Sequence, residues 1–499
     1  MTTINRSMYP VQTSMNLISR MQQQFATLQT QLGTGQKASS LAEMGTDRYQ
    51  DLTLRARLGR IEGYQNNMTM VGVRLDLLNK VMGQFDTSES DARSGIAAGA
   101  YGSSNINFGT APTTAQSRLD EVLTLLNTDV DGRYLFGGSK TDKPPVGTMS
   151  TILDGVNGKA GFKQVASERL AADTGDGLGR LTLSSATNTA TLKEDGIHPF
   201  GFKLSTVTAS NLSSVTPMVT SGPPKQFDVA FATQPQDGDT ISIGLTLPDG
   251  TSSTVVLTAT TGTPGAGQFQ VGADTTGTAT NFTAALQGSL TALGQTDLAV
   301  ASNYAAADNF FNGQGQTQMR VAGPNFATAT SLAAADPTTT VAWYSGADSA
   351  APRSAVSSKI DDNSTVNYGV QANESGTLAL VKSLATLSIQ NFSTSDSTSG
   401  ARFDAVAARN GQRLSETHNS EDGSIELVTV QLGTAQATVN NVKTQQTAYK
   451  AQLESMLSDI ETIPAEDVTM QLLALQTRLQ ASYQTTSMIA NLSLVNYLK

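Results

Sequence analysis

The chain has 499 residues, a formal net charge of −10 and a sequence pI of about 4.8. An acidic chain without basic clusters argues against nucleic acid or an anionic membrane surface as a partner. The sequence contains no cysteine and only two histidines, which excludes disulfides and thiolate metal sites and disfavours a histidine metal site.

The apolar patterns of the sequence predict neither a membrane-spanning helix nor a cleaved secretory signal. No run of 18 apolar residues occurs, so we expect no transmembrane helix and no membrane insertion. The first thirty residues lack a continuous apolar stretch of signal-peptide length. We therefore expect that any export uses a route that cleaves no hydrophobic leader.

The N-terminal part of the chain is predicted to be helical. Residues 1–35 read as a polar helix whose first ten residues are frayed or extended because of Pro10. A connector at 33–47 precedes a long helix at 49–94 and a loop at 95–112. A helix at 113–126 has Leu119, Val122, Leu123 and Leu126 on one face, and a short strand follows at 133–136.

The middle of the chain, residues 149–353, is predicted to be rich in β-strands. Short runs of Thr, Ser and Val indicate strands at 181–183, 227–231, 240–247, 253–258 and 269–271, and Asp249–Gly250 marks a hairpin turn. One helix is expected at 280–293. Pro and Gly at 221–225 favour a division into two subdomains at that point.

Helical patterning returns after residue 356. A strand is predicted at 365–370, followed by helices at 375–390, 401–416 and 425–460. Pro464 ends the third of these helices, and a final helix runs from 465 to 498.

Apolar residues repeat at alternating spacings of four and three in the helices at both ends. A 3.5-residue repeat keeps a narrow apolar seam facing a partner helix. We expect the inner segments to pack on each other within one subunit, through Leu54, Leu58, Ile61, Met68, Leu75, Val428, Leu432, Val439, Val442, Tyr449 and Leu453. In this series Gln446 is the one polar interruption between residues 428 and 460.

The seams of the outermost segments are thinner, and helices of that kind order when a partner arrives. We therefore predict an intermolecular assembly interface there. Its predicted residues are Ile4, Met8, Val11, Met15, Ile18, Phe25, Leu32, Leu472, Leu475, Leu479, Tyr483, Ile489, Leu492 and Val495.

Two acidic patterns are candidates for chemical sites. Asn127, Asp129 and Asp131 match the opening of a calcium-binding loop, but the twelfth position, which needs a bidentate Glu, is Gly138. We interpret the segment as a helix end that turns into a strand. Asp361 and Asp362 are adjacent, so on a strand they would point to opposite faces. We predict no catalytic, cofactor-binding or metal-binding residues, and no enzymatic activity.

Three stretches carry recognisable motifs: "QLGTGQK" at 31–37, "DGRYLFGGSKTDKPP" at 131–145 and "RLQASYQTTSMIANLSLVNYL" at 478–498. They resemble the flagellin superfamily of bacterial flagellar axial proteins, and most closely its hook–filament junction proteins. The last stretch is the most specific, because flagellins proper end in a different pattern. The resemblance covers roughly 1–148 and 355–499, and the insert is larger and more β-rich than in the short form of the family.

Together, the patterns and the resemblance predict an elongated multidomain protein, mainly α at its two co-folded termini, with a β-rich insert. The predicted domains are a terminal coiled coil (1–44 with 462–499), a helical rod (45–148 with 355–461) and two insert subdomains (149–224 and 225–354). We expect the strands at 133–136 and 365–370 to pair, and the rod to fold without most of the insert.

The resemblance implies a structural junction adaptor at the extracellular hook–filament junction, exported by the flagellar type III apparatus. The implied partners are other copies in a ring, hook-associated protein 1, flagellin, and a cytoplasmic export chaperone at the C-terminal helix. Two alternatives stay open: flagellin itself, which would polymerise indefinitely, and an adhesive or glycan-binding role of the insert.

Overall fold

A computed structural model describes residues 9–497, with side chains described from 12 to 489. About 53% of the chain is helical. Long helices form both ends and strands are concentrated in the middle. The predicted arrangement of helical termini around a β-rich centre is therefore confirmed.

The described residues form twelve α-helices. In chain order they are α1 (Tyr9–Thr34), α2 (Arg48–Ser94), α3 (Ile106–Leu126), α4 (Met149–Asp154), α5 (Phe162–Thr174), α6 (Thr275–Leu293), α7 (Ala299–Phe310), α8 (Pro352–Ala355), α9 (Ser375–Ser388), α10 (Ser399–Arg413), α11 (Ile425–Glu461) and α12 (Ala465–Tyr497).

The strands of the described residues are mostly short. They are β1 (Asp129–Val130), β2 (Arg133–Tyr134), β3 (Gly155–Val156), β4 (Lys159–Ala160), β5 (Leu181–Ala186), β6 (Thr189–Glu194), β7 (Lys203–Ala209), β8 (Val215–Thr220), β9 (Gln226–Phe231), β10 (Thr240–Thr246), β11 (Ser252–Thr260), β12 (Gln268–Gln270), β13 (Met319–Val321), β14 (Leu332–Ala334), β15 (Ser357–Lys359) and β16 (Thr365–Asn367).

The chain divides into two compact units. The terminal unit takes in the chain up to Val71, the segment Lys359–Thr365 and the chain from Thr438 onward. The central unit consists of Gly72–Ser358 and Val366–Ala437. Helices α2 and α11 each contribute one part to either unit.

In the terminal unit, α2 packs against α11 along the predicted seam. Leu54, Ile61 and Leu453 form a buried cluster, and Leu58 packs against it. Met68 and Val439 are also buried, and Val442 is half-buried. Tyr449 was predicted to lie in this seam, but its side chain is 41% exposed.

After Gln446, alternate positions of the α11 seam move by one residue, while Leu453 stays buried. Lys450 and Leu457 are half-buried, in place of Tyr449 and Met456. The aliphatic stem of Lys450 can cover apolar surface while its ammonium group pairs with Glu62 at 2.9 Å. A 3.5-residue repeat permits either order of the three- and four-residue steps, and the neighbouring helix decides between them.

The parts of these helices in the central unit also follow the predicted repeat. Leu75 and Leu432 are fully buried there, and Val428 is 2% exposed. The next helix, α3, buries all four apolar residues of its predicted face, from Leu119 to Leu126.

Helix α3 begins seven residues earlier than predicted, with Pro112 inside it. A proline in a helix interior normally breaks a backbone hydrogen bond. Here the first turns are held by Phe108, whose ring lies 5.8 Å from Phe403 and 5.9 Å from Phe392. Tertiary packing of this aromatic cluster therefore overrides the local signal.

The insert is built around two four-stranded sheets that share one apolar core. Their orders are β5-β6-β9-β8 and β12-β11-β10-β7. Phe282 of α6 lies 5.6 Å from Phe231 of the first sheet and 5.3 Å from Phe269 of the second. The predicted boundary at 224/225 falls inside the first sheet, because β8 and β9 pair across it. Two separate subdomains are therefore not found at that position.

The sequence patterns did not predict several elements of the insert, among them the helices α5 and α7 and the strands β6, β7 and β8. The predicted hairpin turn is present, since β10 and β11 pair antiparallel and Gly250 has a φ of +83°. The missed strands each contain two Thr residues, so their apolar alternation is weak. Strands β6 and β8 pair with their sequence neighbours β5 and β9, whereas β7 pairs with the more distant β10.

The two strands that were expected to pair do not form a ladder with each other, since β2 pairs with β1 and β16 with β15. The contact across the insert is a short antiparallel bridge between Gly137 and Gln371, next to the ends of the predicted strands. The amide of Gly138 donates to Val370 at 3.0 Å, and the amide of Ala372 donates to Phe136 at 2.9 Å. Backbone hydrogen bonds thus close the base of the insert within the central unit.

Buried polar contacts tie the insert to α9 and α10. Arg409 of α10 forms a 2.6 Å ion pair with Asp249, and Tyr304 donates a 2.5 Å hydrogen bond to Asn410. Asp308 pairs with Arg413 at 2.9 Å and with Lys382 at 3.1 Å. These contacts argue against the expectation that the helical part folds without the insert.

Candidate functional site: the terminal helix pair

Helices α1 and α12 pack on each other within one chain. They run antiparallel, because Gln22 donates a 2.7 Å hydrogen bond to Tyr483 while Gln36 bridges to Thr462 near the opposite ends. The buried residues of this pair are Met21, Val468 and Leu475. The two thin seams at the ends of the chain therefore meet each other.

The predicted assembly residues fall into two groups that differ in the exposure of their side chains. Ile18, Phe25, Leu472 and Leu479 are half-buried in it, beside the buried Leu475. Met15, Leu32, Tyr483 and Ile489 are exposed, at 62%, 41%, 49% and 37% respectively. The second group has exposed side chains, although the Tyr483 hydroxyl accepts a hydrogen bond from Gln22, whereas the first group packs inside the pair.

The phase of the seam differs from the prediction at alternate positions. Met21 is buried and Leu28 half-buried, whereas continuing the strict 4–3 spacing from Ile18 would place Gln22 and Gln29 in the seam. On α12, Ser482 takes the half-buried position that was assigned to Tyr483. The apolar character of Met21 and Leu28 was the available signal, since a seam favours apolar side chains over the adjacent glutamines.

Three exposed apolar residues on α12 were not predicted. Met470, Leu473 and Met488 are 64%, 58% and 62% exposed. At about 100° per residue they lie roughly opposite the seam. We call Met470 and Leu473, which are neighbours on α12, the outer apolar surface; Met488 lies about 27 Å further along the same helix. Exposed apolar groups of this kind mark interaction sites when they are grouped.

Some predicted assembly residues fall outside the description. Ile4 and Met8 lie outside the described residues, and the side chains of Val11, Leu492 and Val495 lie outside those described. Their assignment to an assembly interface stays a prediction.

A backbone clasp joins the turn after α1 to the turn between α11 and α12. The amide of Lys37 donates to Glu461 at 2.7 Å, and the amide of Ile463 donates to Gly35 at 3.0 Å. Gly35 has a φ of +69°, which favours glycine. Arg55 forms an ion pair with the Glu461 side chain and a 3.1 Å pair with the buried Asp51. The clasp holds the α1–α12 pair to the α2–α11 pair inside the terminal unit.

The acidic pattern after α3 is a turn, as interpreted from the sequence. Asn127 caps the helix, and its side chain exchanges hydrogen bonds with the backbone of Val146 at 3.0 and 3.2 Å. The Asp129 carboxylate accepts from the amide of Gly132. Both side chains therefore stabilise the local backbone through hydrogen bonds.

A charged network in the insert contains a His–Asp contact. The ring of His198 lies 2.5 Å from the Asp195 carboxylate, which also pairs with Arg180 at 2.6 Å. Arg180 donates further to the carbonyls of Ala327 and Ala329. Because these charges hold neighbouring loops in place, the network favours a structural role over catalysis.

One carboxyl in the central unit has a strongly shifted pKa. Burial raises the pKa of Glu89 from its ordinary value of 4.5 to about 7, and the nearby Glu426 adds to the rise. Arg93 and His418 oppose it. A raised carboxyl pKa means that the folded state favours the protonated form.

Glu89→Gln is therefore expected to stabilise the central unit at pH 8 but not below pH 4.5. Stability from a raised carboxyl pKa is present below the unfolded value and is lost as pH rises towards about 7. The gain at pH 8 should be on the order of 1 kcal/mol after allowance for solvent screening. Urea unfolding of both proteins from pH 4 to 8 measures it, and a difference that does not change with pH contradicts this explanation.

Further observations bear on the site. No helix within residues 9–497 is both long and apolar enough to span a bilayer. The described side chains contain no cluster of three or more His, Asp or Glu arranged to hold a metal ion. Comparison with models of protein families finds no match, and comparison with curated proteins also finds none.

Proposed function

We propose that this chain is a structural subunit of the bacterial flagellum, acting as the junction adaptor between hook-side proteins and the flagellin filament. The strongest support is that both chain ends are long helices that pair with each other and still expose large apolar side chains. Most of the exposed large apolar residues among those described belong to the terminal unit. A helix pair of this kind is suited to packing against neighbouring copies.

In the proposed assembly, α1 and α12 form an antiparallel coiled coil that packs with the same pair of adjacent copies in a ring. Hook-associated protein 1 contacts it on one side and flagellin on the other. A cytoplasmic chaperone holds the C-terminal helix before type III export, and the assembled protein is extracellular. The role is structural and not enzymatic.

An adaptor of this kind requires two different interfaces. Hook and filament differ in mechanical behaviour, so one repeating contact cannot match both packings. A head-to-tail contact between different surfaces closes into a ring when the rotation allows it. This geometry separates a junction protein from flagellin, whose contact continues without limit.

Deleting the gene tests the proposal. A strain without this chain should still build hooks, but it should release flagellin monomers into the medium and lack filaments. The measurements are electron microscopy of the cells and immunoblotting of the culture supernatant. The chain should also be a minor component of sheared wild-type flagella. Normal filaments in the deletion strain would contradict the junction role, and a dominant amount in sheared filaments would favour flagellin.

A further inference from the structure

The paired helices α1 and α12 carry very few charges. Their charged residues are Arg20 on α1 and Glu466, Asp467 and Arg478 on α12. Both arginines line one groove along the helix pair, and none of the described residues that line it is acidic. Neither guanidinium has an ion pair or a hydrogen-bond partner among the described residues. The chain itself therefore leaves the positive charge of this groove uncompensated.

The rest of the groove is lined mainly by amides and short side chains. Gln23, Gln24 and Gln471 are exposed along it, together with Thr27 and Ala474. A glutamine amide has both donors and an acceptor, so a row of glutamines can form hydrogen bonds with a copy of itself. A surface of this kind fits a second polar surface better than an apolar one.

An acidic residue that complements the arginines lies on the same face of α12. Arg478 follows Asp467 by eleven residues, which is three turns with a remainder of about 20°, so the two side chains point in nearly the same direction about 16 Å apart. Gln471 and Ala474 lie between them on that face. The Asp467 carboxylate is exposed and has no partner in the part of the chain that the structure describes. Glu466 lies about 100° further round the helix.

We call this face, which consists of the groove and Asp467, the polar stripe. It has two cations towards one end and an anion at the other. Two copies of such a stripe are complementary when they run in opposite directions. Running in the same direction without a shift, they would bring arginine against arginine.

We propose that the polar stripe is a docking surface for the polar stripe of a second copy of the chain, in antiparallel orientation. A two-fold axis at the middle of the stripe places Arg20 and Arg478 of each copy towards Asp467 of the other. Such an axis makes every contact occur twice. The glutamines of the two copies then meet between the charged ends.

This contact goes beyond the proposed function. Rotation about the axis of a ring keeps all copies in the same direction, so an antiparallel contact does not join ring neighbours. The antiparallel dimer is therefore a form of the free protein, and it has to open before a ring is built.

Sedimentation equilibrium of the full-length protein tests the inference. We expect the mass to rise with concentration from the monomer value of 52.2 kDa to twice that value and no further. The association should weaken as salt is added, because exposed charges contribute to it. A monomer at every concentration would overturn the proposal, and so would growth beyond the dimer, which indicates a head-to-tail contact.

Charge reversal tests the predicted pairing. Arg478→Asp and Asp467→Arg each place like charges opposite each other, and each should weaken dimerisation about tenfold. A mixture of the two variants should recover most of the affinity, because position 478 of each copy again meets the opposite charge at position 467 of the other. Both side chains are exposed, so circular dichroism should show the helicity of the parent protein.

Glu466→Arg is the matched control. It makes the same change of charge as Asp467→Arg in the same exposed turn, but off the polar stripe. We expect it to leave the dimer affinity unchanged. Equal weakening by Glu466→Arg, unchanged dimerisation of Arg478→Asp, or a mixture no tighter than its separate components would each overturn the inference.

The outcome is independent of the deletion strain. If dimerisation fails while that strain still loses its filaments, the polar-stripe contact falls and the proposed function stands. If the dimer forms as expected while the strain builds normal filaments, the contact stands and the proposed function falls.

Discussion

Leu475→Asp is expected to separate α1 from α12. Leu475 is one of the buried residues of this pair, with 7% of its surface exposed. An aspartate there loses apolar burial and places a carboxylate without a partner in the seam, at a cost of about 3–5 kcal/mol. Limited proteolysis should then cut within both helices, and the circular dichroism signal at 222 nm should fall.

The matched control is Leu473→Asp. Leu473 lies two residues away on the same helix, but it is 58% exposed. We expect this variant to keep the protease resistance and helicity of the parent protein. Under the proposed function it should nevertheless weaken filament attachment, because it changes the outer apolar surface. Equal protease sensitivity of the two variants would contradict the observed seam.

Arg409→Leu is expected to destabilise the central unit by about 3–5 kcal/mol, because removing one partner of a buried ion pair leaves the other charge uncompensated. The Asp249 side chain is fully buried, and Arg409 lies 2.6 Å from it. Arg409 also donates to Thr251 at 2.9 Å. Thermal unfolding followed by circular dichroism in the helical and strand regions measures the effect.

The double variant Arg409→Leu and Asp249→Asn serves as the control, and it should recover most of the lost stability because no buried charge remains. Helices and strands should unfold in one transition in both variants, because Tyr304 and Asp308 of α7 still bond to Asn410 and Arg413 of α10. If the strands melt separately while the helices keep their parental midpoint, the insert is independent of α10. That result would restore the expectation that the helical part folds without it.

The regular repeat made the long helices predictable. Helix α2 was expected at 49–94 and is found at Arg48–Ser94, and α11 was expected at 425–460 and is found at Ile425–Glu461. The helical signal of each segment lies within its own sequence, because apolar residues recur on one face over many turns. Prolines and glycines at their ends supplied the boundaries.

Elements that depend on distant partners were predicted less well. Helix α3 begins at Ile106 because Phe108 packs on Phe392 and Phe403, which lie almost three hundred residues away. Strand β7 pairs with β10 rather than with its neighbour β8. Local propensity does not contain such pairings, since the partner residues decide which short segments become ordered.

The polar side chains of the terminal unit show the same difference between what local patterns predict and what contacts between distant segments establish. The sequence identified Gln446 as the interruption of a seam, and Asp361 and Asp362 as adjacent carboxylates without a catalytic geometry. Only the structure shows that Gln446 donates to Asp361 and that Asp362 meets Arg60 and Tyr64. These contacts join three segments that are remote in sequence.

Because periodicity is a local property of the chain, residue patterns alone predict the helical ends, the β-rich middle and an apolar seam on each terminal helix. The tertiary structure decided which seam meets which, and which side chains face outward. Ile18 and Leu475 lie inside the α1–α12 pair, while Met470 and Leu473 remain exposed. A 3.5-residue repeat indicates that a helix has a partner helix, but the identity of that partner depends on how the whole chain packs.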